Sequence, residues 1–205
     1  MNKWAYPLAI LTLIAFLVLR VTYQTEAVQK FDSQIAEWLF GNKFIDIFHY
    51  IGEPKFVVCV AIFLIVYLAW RVKNYRGMVL VLLTFAGGTV LNHQLKIWVQ
   101  RPRPEIVDQL TSFSFPSGHS MSGLLYLFTT AYILSEGNTK ARKTQLWIGA
   151  VVLTVLIGMS RVAGARHFAS DVLAGWSIGF TWFVICVIWY ERRKRKFEHI
   201  NEIRK

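Results

Sequence analysis

Acidic side chains are scarce in this 205-residue chain, where 12 Asp and Glu stand against 23 Lys and Arg for a formal net charge of +11. They form no cluster, which speaks against a hydrolase built on two metal ions, since such a site needs several carboxylates to hold the pair. Cysteine is limited to Cys59 and Cys186, both inside apolar blocks; they read as small apolar-environment residues, not as a disulfide or a metal pair. The chain has no internal repeat and no low-complexity linker. It also lacks a small-x-small cleavage site after the first apolar run, which continues Leu19, Arg20, Val21, Thr22, Tyr23. That run therefore reads as an uncleaved helix, although Lys3 precedes it as in a secretory leader.

What the chain does have is apolar residues gathered in blocks, 55% of the total. Six blocks stand out, at about Ala5 to Val21, Phe56 to Trp70, Gly77 to Leu95, Met121 to Leu134, Leu146 to Met159 and Val172 to Tyr190. A bilayer core takes about 20 apolar residues as a helix, and lipid-facing backbone must satisfy its own hydrogen bonds. The expectation is an all-α polytopic membrane protein of six transmembrane helices, one domain over residues 1–205. The second, fourth and fifth blocks are short, so flanking residues must extend them or the bilayer must thin.

Basic residues set the orientation. Lys3, then Arg71, Lys73 and Arg76, then Lys140, Arg142 and Lys143, and finally "ERRKRK" in the tail over 191–205 fall at connections that are cytoplasmic if both termini are inside. The net charge thus serves topology, and nucleic acid is not an expected partner. The first connection, 22–55, carries Glu26, Asp32, Glu37, Asp46 and Glu53 and suits the outer side. Within it, Val28, Phe31, Ile35, Trp38 and Leu39 recur at helical spacing; this helix either lies on the membrane surface or packs over the bundle.

Five basic residues, Lys96, Arg101, Arg103, Arg161 and Arg166, fall on the expected outer side against the positive-inside tendency. They belong to three segments. In "LKIWVQRPRP", Pro102 and Pro104 end the third span and put Arg103 on a stiff extended exit. In "FSFPSGHSMSG", Pro116 stops the chain before it, Ser117 is a good N-cap, Gly118 admits a ligand to the backbone, and His119 projects from the first turn. The free N–H groups of such a helix start favour an anion. In "SRVAGARHFASD", His167 and Asp171 are four residues apart and share a helix face, where a carboxylate can orient an imidazole. Each segment alone has an ordinary reading as an interfacial anchor, a cap or a helix start. Together they supply a phosphate cage with acid–base and nucleophilic chemistry attached. His49 and His93 read as interfacial, and Gly175 and Gly179 as a small-xxx-small packing pair in the last span.

These three segments, in this order and topology, resemble the signature of the type 2 phosphatidic acid phosphatase (PAP2) superfamily, which also contains vanadium haloperoxidases. The similarity covers nearly the whole chain and is to membrane lipid phosphatases of the phosphatidylglycerophosphatase B type. The resemblance implies a six-span bundle with its site at the outer face of a cytoplasmic membrane, and the short loops and small chain look bacterial. It implies that His167 attacks phosphorus to form a phosphohistidine, oriented by Asp171, and that His119 protonates the departing lipid oxygen and then helps water cleave the intermediate. Lys96, Arg103, Arg161, Ser117 and the Gly118 backbone would hold the phosphoryl oxygens. Arg166 would touch a second phosphate or headgroup, or merely cap a helix.

No cofactor, metal or obligate protein partner is implied. The partners expected are the bilayer and a lipid phosphate such as phosphatidylglycerophosphate, phosphatidate or undecaprenyl diphosphate, the last being an alternative main substrate. A vanadate-dependent haloperoxidase would use the same cage, but six spans with no sizeable soluble domain count against it. A non-enzymatic lipid-binding or transport protein would not need His119, His167 and Asp171.

Overall fold

The computed structural model of the protein describes residues 4–105 and 112–203, with side chains described as far as residue 195. Lys3 and the last two residues of the basic tail, 204–205, lie outside the described residues. Helices form where the apolar runs are. Helix α1 (Ala5–Thr22) turns Ile10, Leu11, Ile14, Leu17 and Val18 outward and buries Phe16, the pattern of a helix with one protein face and one lipid face. The amphipathic segment becomes α2 (Glu26–Leu39), followed by the single turn α3 (Lys43–Asp46) and a 3₁₀ turn over Ile47–Gly52. Helix α2 packs against the bundle along one face. Ile35, Ala36 and Leu39 lie against Val162, Ala169 and Val172, while Trp38 stays exposed.

The second block is α4 (Pro54–Tyr67), continued by a π turn to Val72. The third is α5 (Tyr75–Leu82), a π turn over Leu83–Gly87, and α6 (Gly88–Val99). A π turn disturbs the regular hydrogen-bond ladder; here the Trp182 indole N–H donates to the Leu83 carbonyl at 2.9 Å. The remaining helices are α7 (Gly118–Ser135), α8 (Lys140–Ala163) and α9 (Ala169–Ile203). The short blocks do recruit their flanks, as α4 with its π turn, α7 and α8 all run beyond the apolar core of the block.

Among the described residues five helical runs are long and apolar enough to cross a membrane, and α7 is not one of them. Its location explains why. Helix α7 is enclosed by α8, α9 and the α4–α6 group and buries Ser120, Met121, Leu124, Leu125, Phe128 and Thr129. A helix that sees protein on most sides has no need of a lipid-compatible surface. The core around it is aromatic, with the Phe128 ring edge-on to Trp147, Phe180 and Phe183 at 5.3, 6.2 and 5.7 Å. The small-residue pair in α9 serves close packing: a Cβ on Gly175 would stand 2.7 Å from the Ser117 carbonyl oxygen, inside contact distance. Further along α9, α1 is held by a 2.9 Å hydrogen bond between Thr12 and Thr181.

Candidate active site

At one end of the bundle the ends of α6 and α8 meet the starts of α7 and α9, and all three sequence segments come together there. Helix α6 stops at Val99, with Gln100 in the left-handed region as its C-cap, as the two prolines require. The loop that follows is anchored by Phe115, fully buried between the rings of Phe16 and Tyr23 at 5.7 and 5.8 Å. Asn92 secures the next residue, donating to the Pro116 carbonyl at 3.3 Å.

His167 sits in the turn between α8 and α9 and is 3% exposed. Its Nε2 lies 3.1 Å from Arg103 Nη1, and its Nδ1 lies 3.5 Å from Asp171 Oδ2. A guanidinium can only donate, so Nε2 must present its lone pair and the proton belongs on Nδ1, facing the carboxylate. Burial pushes this imidazole down to about 4; Asp171 pulls the other way, and Arg103 and Lys96 add to the push. The neutral ring, with Nε2 unprotonated, is the form a nucleophile needs. Asp171 is fully buried and richly held. Ser114 donates to its Oδ2, the Phe168 N–H donates to the same oxygen at 2.9 Å, and Arg101 donates to Oδ1 at 2.8 Å.

Arg103 is pinned by Ser112, whose carbonyl accepts from Nε at 2.7 Å, and by the Arg166 carbonyl, which accepts from Nη1 at 2.6 Å. Lys96 donates to the carbonyls of Phe113 and, at 3.2 Å, Ser114. Arg161, at the last turn of α8, is 6% exposed, and its Nε has no hydrogen-bond partner among the described residues. A buried cation with unused donor capacity is a strong attractor for an anion. His119 is half-buried, packs against the 3₁₀ turn at Gly52, and lies within electrostatic reach of Arg161, His167, His49 and Arg103. Gly118 is close-packed, since a Cβ there would meet Asn92 Oδ1 at 3.2 Å.

Two positions differ in character from the others. Ser117 is fully buried, and its hydroxyl accepts from Ser120 Oγ at 2.9 Å. It is the N-cap of α7, accepting from the Ser120 N–H. Arg166 is half-exposed, and its main chain serves the turn, with the N–H donating to the Arg161 carbonyl at 2.9 Å. His93 is exposed, and His49 Nδ1 donates to the Asp46 carbonyl, 2.6 Å away.

Sequence reasoning missed Ser114, Asp32 and the distinct place of Arg101. Ser114 precedes the Pro-Ser-Gly-His stretch and carries no local signal. Arg101 looks like Arg103 in sequence, yet it turns away from the cage toward Asp32 of α2, with Nη2 to Oδ2 at 2.9 Å. Among the described residues no group of three His, Cys, Asp or Glu side chains has metal-binding geometry. Lys96 and Arg103 lie within electrostatic reach of His167, and Arg161 within reach of Arg103.

Comparison with known proteins agrees with this geometry. The family model described as the PAP2 superfamily matches residues 77–195. Phosphatidylglycerophosphatase B of Bacillus subtilis is 33% identical over 192 residues, covering 88% of this chain and 93% of that protein. The human phospholipid phosphatase-related protein type 5 is 32% identical over 96 residues, 43% of this chain and 30% of that one. Among solved structures, the transmembrane PAP2-type phosphatidylglycerolphosphate phosphatase from Bacillus subtilis superposes with a TM-score of 0.79 at 31% identity, covering 90% of this chain and 96% of that one. The family model's span includes Lys96, Arg103, His119, Arg161, His167 and Asp171, and this chain belongs to the PAP2 superfamily of phosphatases.

Proposed function

We propose that the protein removes the terminal phosphate from membrane lipid phosphates or diphosphates through a phosphohistidine on His167, at the outer face of a bacterial cytoplasmic membrane. The observation that carries this reading is the state of His167: buried, its Nε2 lone pair held 3.1 Å from a phosphate-binding guanidinium and its Nδ1 proton directed at a buried carboxylate. A lipid phosphate enters with its oxygens on Lys96, Arg103, Arg161 and the start of α7. Nε2 attacks phosphorus; the Nε2–P bond forms as the P–O bond to the lipid breaks, and His119 gives its proton to the departing oxygen. His119 then takes a proton from water whose oxygen attacks phosphorus, and the P–N bond breaks to release inorganic phosphate and neutral His167. This is positioning plus neutralisation of the transferring group, most of what phosphoryl transfer requires.

The leaving-group side fits a lipid. His119 and Gly118 stand at the head of a groove of about 410 Å³, lined by Val57, Ala61, Phe85 and Asn92 between α4 and the α5–α6 run. It is mostly apolar, as an acyl or prenyl chain needs. Phosphatidylglycerophosphate, phosphatidate and undecaprenyl diphosphate all present the required phosphate end.

The test is phosphate release from a panel of these lipids by the purified protein in detergent with EDTA present. Wild type is expected to turn over and His167→Ala to lose about a thousandfold or more. Strict dependence on added Mg²⁺, or near-normal turnover by His167→Ala, would sink the mechanism. The ranking within the panel identifies the substrate.

A further inference from the structure

Asp32 and Arg101 have no part in the chemistry described so far, yet they are among the most deeply buried charges in the protein, 4% and 5% exposed. The Arg101 guanidinium forks between two carboxylates. Nη2 donates to Asp32 Oδ2 at 2.9 Å, and Nη1 donates to Asp171 Oδ1 at 2.8 Å and to Ser170 Oγ at 2.7 Å. The guanidinium also lies over the rings of Phe168 and Tyr23, 4.1 and 4.9 Å from their centroids. Asp32 is fixed in turn by Ser170, whose N–H and hydroxyl both donate to it at 2.7 Å. The carboxylate that faces the nucleophile is thus shared. One oxygen belongs to His167, Ser114 and the Phe168 N–H; the other belongs to Arg101.

Burying three charges costs more desolvation than an apolar trio of the same volume, so stability alone is a poor account of this arrangement. Electrostatics gives a better one. Arg101 by itself would draw negative charge away from His167, and Asp32 returns it, leaving the Asp32–Arg101–Asp171 chain with a net charge of −1. Forming the Nε2–P bond places positive charge on the imidazole, which that net charge stabilises. We propose that Asp32 and Arg101 are positioning residues that clamp Asp171 and set the negative charge felt by His167, so that α2 takes part in tuning the nucleophile. This rests on the phosphohistidine reading above. The other charged or titratable groups facing His167 are Arg103, Lys96 and His119, and all three stay unchanged in the test.

The test measures kcat and KM for a short-chain phosphatidate across pH, with thermal melting of each variant in the same detergent. In Asp32→Asn one negative charge is lost, so kcat falls about tenfold with little change in KM. The acid limb of kcat/KM then moves to lower pH by about half a unit. In Arg101→Gln a positive charge is lost and the limb moves up by about as much. The double variant restores the net charge of −1 and returns the limb toward wild type. Loosened packing cannot move the limb in opposite directions. Shifts of the same sign, or unchanged limbs and kcat in both single variants, overturn the proposal. If either variant fails to melt cooperatively, Arg101→Lys replaces it: it keeps the charge but cannot fork, and wild-type kcat in that variant overturns the proposal equally. A wild-type protein that releases no phosphate from any lipid defeats the phosphatase reading, and the role of Asp32 with it.

Discussion

At the scale of single residues the decisive one is His167. Its value near 4 in the folded protein lies below the ordinary 6.5, so between those pH values the unfolded chain binds a proton that the folded one does not. Stability from this residue is therefore complete above pH 6.5 and is lost as pH falls toward 4. Melting temperatures at pH 7 and pH 5 should show a larger acid-induced drop in wild type than in His167→Gln; equal drops would mean that the ring is not held neutral. His119→Ala should reduce kcat about 10²- to 10⁴-fold, the usual contribution of a general acid, and a substrate with a good leaving group such as p-nitrophenyl phosphate should be affected much less. The proposed catalytic residues were legible because they lie close in sequence: His167 and Asp171 are four residues apart, and His119 follows the cap of α7. Asp32 was not, since nothing within a few residues of it hints at a partner at position 101 or 171. Ser114 was hidden for a similar reason, because its role depends on how Phe115 seats the loop.

At the scale of elements, α7 departs from the expectation that every span is lipid-compatible. Its serines, threonines and glycines are tolerated because neighbouring helices enclose it, which hydropathy along one segment cannot reveal. Helix α2 shows the converse: its periodicity was plain, but nothing local says that Ile35 and Leu39 meet Val162, Ala169 and Val172. The π turns were equally invisible, because they are fixed by partners such as Trp182, far away in sequence. The contact of α9 with α7 yields a direct prediction. Gly175→Val places a side chain against the Ser117 carbonyl, 2.7 Å from the first atom added. Overpacking of this kind costs about 1–3 kcal/mol, and the damage falls at the catalytic end. A lowered melting temperature together with loss of phosphate release is expected; Gly149→Val, where no described residue lies within 4 Å, is the control and should leave both near wild type.

At the scale of the whole molecule, the proposal puts the cage outside and the connection between α7 and α8 inside. In a variant without Cys59 and Cys186, a single cysteine at Lys30 on α2 should react with a membrane-impermeant maleimide on intact cells. One at Lys143 should react only after permeabilisation, and the reverse pattern would invert the topology. The bundle also joins its two reactive ends through main chain. The Ser117 N–H donates to the Asp171 carbonyl at 3.0 Å, so the segment carrying the acid is bolted to the segment carrying the nucleophile by a bond that no side-chain substitution removes. The pair then works as a caliper of fixed span, gauging the reacting phosphorus–oxygen bond and nothing further along the lipid. Across a series of lipid phosphates kcat should accordingly stay nearly constant while KM varies, with selection among lipids left to the greasy groove and to whatever the membrane supplies.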